Sequence, residues 1–374
     1  MSTLFDEAAQ PSLGPIRRTG ARAAGAGVAA TPGHATQDTR GRELRDMRIS
    51  VTDRCNFRCV YCMPKEIFGR DYVFLPKDQL LSFEEIVRVV QAGIAHGVHK
   101  VRLTGGEPLL RKGIEDLVRM LAELRTTEGT KPDIALTTNG SALAHLAPAL
   151  KEAGLDRVTV SLDSLDDEVF RSMNDIDFPV QRVLDGIHAA ADAGLRIKVN
   201  TVVKRGMNEG DIVDIAGHFK GTGVIVRFIE FMDVGTTNGW EMRDVVPSAE
   251  VLEKIAAVYP LQAVPPQYAA ETAKRWQYVD GTGEVGVISS VTQPFCGACT
   301  RGRISADGKL FTCLFADHGH DLRGMLRDGC TDAELEGMIG RLWSVRDDHY
   351  SEIRGAATAA LRTSSRIEMS YIGG

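Results

Sequence analysis

Six of the seven cysteines in this 374-residue chain fall in two tight groups. The first, in the stretch "VTDRCNFRCVYCMP", is a CxxxCxxC run made of Cys55, Cys59 and Cys62. The second has the spacing CxxC-x13-C and is made of Cys296, Cys299 and Cys313. Only Cys330 stands apart. A total of seven is an odd number for a disulfide framework, and six cysteines in two tight groups indicate metal ligation instead.

Each group supplies three thiols, which is one fewer than a structural zinc ion requires. A 4Fe-4S cubane held by three thiolates leaves one iron free for another ligand. For the first group, a zinc site completed from elsewhere is the alternative. For the second, Cys330, His318 or His320 could complete a zinc site. Two groups that both stop at three favour two 4Fe-4S clusters.

Composition and charge narrow the class of protein. The chain is 43% hydrophobic and 25% charged, with a formal net charge of −6. It is long enough to enclose a buried site, has no apolar run of membrane-spanning length, and is expected in the cytoplasm. The negative charge argues against a general nucleic-acid or membrane surface. Residues 1–45, rich in Ala, Gly, Thr and Arg, predict a disordered extension, and the early Asp6 and Glu7 count against a transit peptide.

Six apolar, β-branched runs predict the strands of a parallel sheet. They cover residues 47–51, 100–106, 133–140, 157–164, 196–203 and 224–232. Helical patterns alternate with them, and one begins with a capping box of Ser82 and Glu85. Six βα units without a GxGxxG turn favour an incomplete (β/α)6 barrel, whose chemistry should sit at the carboxyl ends of its strands.

The βα rhythm stops near residue 245. We therefore divide the chain into an extension (1–45), a partial barrel (46–244) and a smaller C-terminal module (245–374) that closes the barrel mouth. The stretch "PFCGACTRGRISADGKLFTC" predicts a loop followed by a hairpin that turns at "ADGK". The hairpin would bring Cys313 back towards Cys296 and Cys299.

Cations interrupt strands that should be largely apolar. Arg102, Lys198 and Arg227 each lie within a predicted strand, and Arg301 and Arg303 follow Cys299. A single such residue could pair with a carboxylate or extend its charge to solvent. Cations on several strands together predict a lumen that accepts a multiply charged anion, namely a polyphosphate.

The cysteine loop resembles that of the radical S-adenosylmethionine (radical SAM) superfamily. Tyr61 stands beside the last cysteine of the loop, and "GGEP" (Gly105 to Pro108) follows the second predicted strand. The resemblance implies that the amino and carboxylate groups of SAM chelate the open iron. It also implies that the two glycines let the backbone approach the SAM amino group closely.

Over residues 45–374 the chain resembles the GTP 3′,8-cyclase family of molybdenum cofactor biosynthesis. The matching motifs include "MRISVTDRCNFRCVYCMP", "RLTGGEPLLR", "LTTNG", "VSLDS", "RFIEFMDVG", "FCGACTRGRIS" and the terminal "YIGG". The resemblance implies an incomplete triose-isomerase-type barrel with two 4Fe-4S clusters. In this family, the first cluster, held here by Cys55, Cys59 and Cys62, binds SAM. The second cluster, held by Cys296, Cys299 and Cys313, contacts the guanine of GTP through its open iron.

The resemblance also implies the remaining site residues. The SAM contacts map to Tyr61, Gly106, Ser161 and Met232. The GTP contacts map to Arg48, Arg102, Thr137, Lys198, Arg301, Gly302 and Arg303. The catalytic residues map to Arg301, Arg303, Gly373 and Gly374. Charge alone already singled out Arg102 and Lys198, whereas Arg48, Thr137 and Ser161 rest on the resemblance. A frayed chain end is the alternative for the two glycines.

The implied reaction begins when flavodoxin or ferredoxin supplies an electron and SAM is cleaved to methionine and a 5′-deoxyadenosyl radical. The radical takes hydrogen from the ribose of GTP, and the sugar then attacks guanine to give (8S)-3′,8-cyclo-7,8-dihydroguanosine 5′-triphosphate. The downstream partner is cyclic pyranopterin monophosphate synthase. The sequence leaves the oligomeric state open, with a homodimer among the options.

Two other classes of function fit part of the sequence. One is a radical SAM enzyme that modifies peptides with an auxiliary cluster, which should not need Arg301 and Arg303. The other is a non-catalytic electron carrier or metal-stabilised nucleotide-binding protein, which should not cleave SAM on reduction.

Overall fold

The computed structural model describes residues 35–268, 270–353 and 367–373. The strands are β1 (Asp46–Ser50), β2 (Lys100–Thr104), β3 (Asp133–Thr138), β4 (Arg157–Ser161), β5 (Arg196–Val203), β6 (Ile225–Glu230), β7 (Leu261–Val264), β8 (Lys274–Tyr278), β9 (Glu284–Ile288), β10 (Arg301–Ile304), β11 (Lys309–Phe311) and β12 (His320–Asp321). The helices are α1 (Phe83–Ala95), α2 (Ile114–Glu123), α3 (Leu143–Glu152), α4 (Asp167–Asn174), α5 (Val180–Asp192), α6 (Ile212–Phe219), α7 (Ser248–Val258), α8 (Leu322–Arg327), α9 (Asp332–Ser344) and α10 (Met369–Ile372). All six strands predicted from apolar runs are confirmed as β1 to β6.

Strands β1 to β6 lie side by side in chain order, and each is parallel to the next. The C-terminal part adds a parallel strand at each edge, β10 beside β1 and β9 beside β6. Within the described residues β9 and β10 do not pair, so the barrel is incomplete, as predicted. The sequence did not reveal that the C-terminal module extends both edges of the sheet. A domain boundary near residue 244 stays a prediction.

Alternation along each strand separates the core from the lumen. In β5 the side chains of Ile197, Val199 and Val203 are buried, while Lys198 and Asn200 between them are half-buried. Helices α1 to α6 cover the outer face and bury the apolar residues. Helix α1 begins with the predicted capping box, since Ser82 and Glu85 each accept the other's backbone N–H. Polar residues are therefore left to face the inside of the barrel.

The structure corrects part of the predicted disordered extension. Residues 35–45 pack against the barrel, with Leu44 buried and the buried Asp38 paired to Arg42 and Arg346. The sequence did not reveal this because Arg346, which completes the ion pair, lies about 300 residues further along the chain. Residues 1–34 lie outside the described residues, and disorder there stays a prediction. In the described parts of the chain, no helix is both long enough and apolar enough to cross a membrane.

Candidate active site

A cavity of about 330 Å³ lies inside the sheet and reaches both cysteine groups. Nearly all of the predicted site residues line it, namely Arg48, Cys55, Cys59, Tyr61, Cys62, Arg102, Gly106, Thr137, Ser161, Lys198, Met232, Cys296, Cys299, Arg301, Arg303 and Cys313. Gly302 is not among them, because alternation along β10 turns it outward while Arg301 and Arg303 face the lumen. A Cβ added at Gly302 would lie 3.2 Å from Leu44 on the outer side.

The two cysteine groups lie at opposite ends of the parallel strands. Cys55 follows the carboxyl end of β1, whereas Cys299 precedes β10, whose first residue Arg301 pairs with Asp46 at the start of β1. The antiparallel β10–β11 hairpin, as predicted, returns Cys313 to the same end. The five residues of β1 span about 16 Å at about 3.3 Å per residue. The second cysteine group therefore lies at the amino ends of the strands, away from the carboxyl ends where the chemistry was expected.

The first cysteine loop is held by hydrogen bonds from side chains that the sequence did not single out. Arg58 donates to the carbonyl oxygens of Cys55 and Phe57, each at 2.8 Å. The side-chain amide of Asn139 lies 3.9 Å from Cys55 Sγ and donates to Asn56 at 2.9 Å. Burial and the nearby Glu107 raise the pKa of Cys55 to about 11. The thiols therefore stay protonated until a metal centre displaces their protons.

The GGEP glycines pack directly against this loop. Gly106 donates its backbone N–H to Thr52 and Glu107 donates to Arg54, each at 2.8 Å. Gly105 has φ +142°, and a Cβ at either glycine would come within 3.0 Å of loop backbone oxygens. The buried Glu107 side chain accepts from Thr138, Leu109 and the backbone N–H of Asn139. Besides any approach to SAM, the glycines are thus required for the loop to sit on the carboxyl end of β2.

Tyr61 is held by a carboxylate that the sequence analysis missed. Its hydroxyl donates to Asp163 Oδ2 at 2.7 Å, and Asp163 Oδ1 accepts from the backbone N–H of Val202 at 2.9 Å. Burial raises the pKa of Asp163 to about 6. Asp163 lies in the quoted motif "VSLDS", two residues after Ser161, which was the available signal.

Arginines surround the second cysteine group. Arg42 and Arg346 donate to the carbonyl oxygens of Cys296 and Cys299, each at 2.9 Å, and Arg301 Nη2 lies 3.4 Å from Cys299 Sγ. Although burial raises the pKa of Cys299, Arg301 and Arg346 lower it to about 6. Burial raises the pKa of Cys313 to about 12.

The positions of the candidate fourth ligands argue against a zinc ion at the second cysteine group. His318, His320 and Cys330 do not line the cavity that holds the second cysteine group. Across the described residues, no three or more histidine, cysteine or carboxylate side chains are gathered as a single metal ion would require. Two sets of three thiols that open onto one cavity nevertheless suit two cubanes, which are larger than one ion and leave one iron open in each case.

Between the cysteine groups, neighbouring strands place three arginines in one row. Arg48 of β1 pairs in register with Arg303 of β10 on one side and with Arg102 of β2 on the other. Burial and the neighbouring arginines hold the pKa of Arg48 well below its usual value. Within the described residues, the buried Nε atoms of Arg48 and Arg227 have no hydrogen-bond partner. Buried like charges with unused donors are the expected setting for a bound anion.

The rest of the lumen is also basic. Burial lowers the pKa of Lys198 to about 8, with a further contribution from Arg227, and lowers that of Lys100 to about 8. Arg102 donates to Thr137 at 3.0 Å. Lys100 and Arg157, which were not predicted as site residues, also line the cavity. Residues two positions apart on a strand face the same side of the sheet, so the position of Arg102 in the lumen predicts that Lys100 lies there as well.

The C-terminal segment returns to this cavity, where Met369 and Ser370 line the wall, whereas Gly373 is not a lining residue. Gly373 is buried, has φ +71°, and accepts a hydrogen bond from Arg303 through its carbonyl oxygen. A Cβ at Gly373 would collide with Thr104 at the carboxyl end of β2. The prediction for Gly374 falls outside the described residues.

Comparisons with known proteins first define the class. The family model described as "Radical SAM superfamily" matches residues 49–219, and the one described as "Molybdenum Cofactor Synthesis C" matches residues 224–352. Among solved structures, Streptococcus suis SuiB bound to S-adenosylmethionine superposes with a TM-score of 0.59 at 13% identity. The match covers 90% of this chain and 78% of SuiB. The family model thus identifies a radical SAM domain in this chain, and the superposition shows that the chain shares its fold with SuiB.

Two curated relatives then narrow the family. The GTP 3′,8-cyclase of Acidothermus cellulolyticus is 50% identical, over 90% of this chain and 99% of that protein. The GTP 3′,8-cyclase of Staphylococcus haemolyticus is 47% identical, over 90% of this chain and 98% of that protein. The chain belongs to the GTP 3′,8-cyclase family.

Proposed function

We propose that this chain converts GTP to (8S)-3′,8-cyclo-7,8-dihydroguanosine 5′-triphosphate while SAM is cleaved to 5′-deoxyadenosine and methionine. This is the first step of molybdenum cofactor biosynthesis. The observation that carries the proposal is the row of Arg303, Arg48 and Arg102, which lies inside one cavity between two groups of three thiols.

At the carboxyl end of the strands, Cys55, Cys59 and Cys62 would hold the cluster that binds SAM. When bound, this cluster supplies the electron that cleaves SAM to a 5′-deoxyadenosyl radical. Tyr61, Gly106, Ser161 and Met232 are the proposed SAM contacts. Asp163 fixes the Tyr61 hydroxyl, so the ring is oriented before SAM arrives.

At the amino end, Cys296, Cys299 and Cys313 would hold the second cluster near the guanine. The triphosphate is proposed to bind the central cations Arg48, Arg102, Lys198, Arg301 and Arg303. Phosphate oxygens would occupy the unused guanidinium donors and relieve the repulsion among buried cations. Thr137 is a further proposed contact, whereas Gly302 could contribute only through its backbone.

An enclosed lumen suits a radical reaction, because it holds the ribose and the radical carbon together and keeps other hydrogen donors away. The Gly373 carbonyl on Arg303 supports a role for the terminal glycines beside the substrate. A flavodoxin or ferredoxin donor, cyclic pyranopterin monophosphate synthase as the downstream partner, a homodimeric assembly and a cytoplasmic location stay predictions.

The test is anaerobic turnover of the reconstituted full-length chain with GTP, SAM and a reductant. We expect 5′-deoxyadenosine and a cyclised nucleotide in the products. Arg301→Ala should weaken GTP binding by about 1.5–3 kcal/mol, because a charge-assisted hydrogen bond is lost. Arg119→Ala is the matched control, since Arg119 is exposed and pairs with Asp116 on α2. Equal GTP affinity in Arg301→Ala and the control would contradict the assigned phosphate site.

A further inference from the structure

The C-terminal segment, residues 367–373, contacts the barrel in its middle and near both ends. In its middle, the Tyr371 hydroxyl accepts from Lys309 Nζ at 3.4 Å and Ile372 is buried. Two further contacts hold the ends. One is the Gly373 carbonyl on Arg303. The other is the half-buried Glu368, whose Oε1 accepts from the backbone N–H of Thr236 at 2.9 Å and from its hydroxyl at 3.0 Å. Its Oε2 accepts from the Thr237 hydroxyl at 2.9 Å. Four residues, Met369 to Ile372, thus lie between the two end contacts, which are on different sides of the cavity.

Glu368 is at the N-cap position of α10, yet its side chain makes no capping bond to that helix. The short side chains of Ser, Thr, Asp and Asn are the usual N-caps, and Glu is not among them. The Glu368 carboxylate instead reaches the loop that follows β6.

The loop after β6 is shaped to receive this carboxylate. Gly235 has φ +71°, and a Cβ there would overlap the Glu368 carboxylate. Only glycine combines that backbone angle with so close an approach. The same loop carries Met232, whose carbonyl oxygen accepts from Asn238 at 3.0 Å. The Glu368 contact therefore links the tail to the loop that bears a proposed SAM contact.

The anchored segment forms part of the cavity wall, since Met369 and Ser370 line the cavity. Gly373, at its far end, lies against Thr104 and Arg303. Release of Glu368 would leave the segment held by Tyr371, by the buried Ile372 and by the Gly373 carbonyl on Arg303, which is also a proposed phosphate ligand. Substrate phosphate could then compete with the tail for the same guanidinium.

We propose that Glu368 is a positioning residue that fastens the C-terminal tail to the loop at 235–237 and so keeps Gly373 beside the bound substrate. The inference rests on the proposed function. Without the fastening, SAM is still cleaved, but the radical meets a substrate that is less well confined. Less cyclised nucleotide is therefore formed for each SAM that is cleaved, while the cleavage of SAM itself continues.

The experiment compares Glu368→Ala with the wild-type chain after anaerobic reconstitution. We expect unchanged iron, faster hydrogen exchange in the C-terminal peptide, and a ratio of cyclised nucleotide to 5′-deoxyadenosine lower on the order of tenfold. Thr236→Val with Thr237→Val removes two donors from the loop side and should lower the ratio in the same direction. Glu368→Gln keeps a carbonyl acceptor and should restore part of it.

Glu352→Ala is the control, since Glu352 is a carboxylate that pairs with Arg40 and does not line the cavity. Unchanged exchange and an unchanged product ratio in Glu368→Ala would overturn the proposal. So would faster exchange with a wild-type ratio, because the contact would then be merely structural. If the wild-type chain forms no cyclised nucleotide, the proposed function fails, and unchanged exchange in Glu368→Ala would separately refute the fastening.

Discussion

Replacing Gly106 with alanine should detach the first cysteine loop and leave the second cluster intact. The added Cβ would come within 3.0 Å of the Asp53 and Arg54 backbone, which cannot rotate away as a side chain would. To make room, the loop must move off the end of β2. This would break the backbone hydrogen bonds from Gly106 to Thr52 and from Glu107 to Arg54, each 2.8 Å long.

The free-energy cost of the Gly106→Ala substitution follows from these contacts. Two backbone hydrogen bonds contribute about 1–3 kcal/mol together, and overpacking adds about 1–3 kcal/mol. The sum, about 2–6 kcal/mol, is smaller than the stability of most domains, about 5–15 kcal/mol. The barrel should therefore survive while the loop shifts, because local movement relieves the clash at less cost than unfolding.

The assay is iron content and reductive SAM cleavage after anaerobic reconstitution. Wild-type chain should hold about eight irons, and Gly106→Ala about four, with SAM cleavage lost. GTP binding should persist, because the lumen cations do not depend on this loop. Gly210→Ala is the control, since that glycine has open space around it. Full iron and wild-type SAM cleavage in Gly106→Ala would refute the reasoning.

Three further predictions concern the lumen and the tail. Cys313→Ala should halve the iron yet leave reductive SAM cleavage detectable; stoichiometric zinc at the second site of purified wild-type chain would contradict the second cluster. GTP affinity should fall on the order of tenfold as pH rises through about 8, where the buried Lys198 and Lys100 lose their protons. In calorimetric titrations, Lys198→Arg should make that profile less steep, because Lys100 alone then titrates in this range. An equally steep profile in the variant would refute this. Deleting Gly373 and Gly374 should leave the iron intact and abolish most cyclised product, whereas full-rate turnover would mean a merely frayed tail.

Local sequence patterns were sufficient to predict the strands of the barrel and the metal-binding character of the cysteine loop. The apolar runs became β1 to β6 because burial of one strand face against helices requires side chains that are apolar at alternate positions. Arg102 and Lys198 could be found because charge in such a strand is costly unless it faces a ligand. Asp163 in "VSLDS" and Lys100 at the start of the run 100–106 could not be singled out by charge, because a carboxylate after a strand and a lysine at its first residue are both ordinary.

The sequence by itself determined which groups this protein can use: two sets of three thiols, a GGEP turn, and strand cations suited to phosphate. Each of these is a property of residue type and of spacing over at most about twenty residues. Only the tertiary structure decided where they stand relative to one another. The parallel register of β10 on β1 sets Arg303 beside Arg48 and puts the two thiol groups at opposite ends of one lumen. The contact of Glu368 with Thr236 joins residues 132 positions apart, and no local pattern encodes it, because the partners of a folded chain are chosen by packing over its whole length.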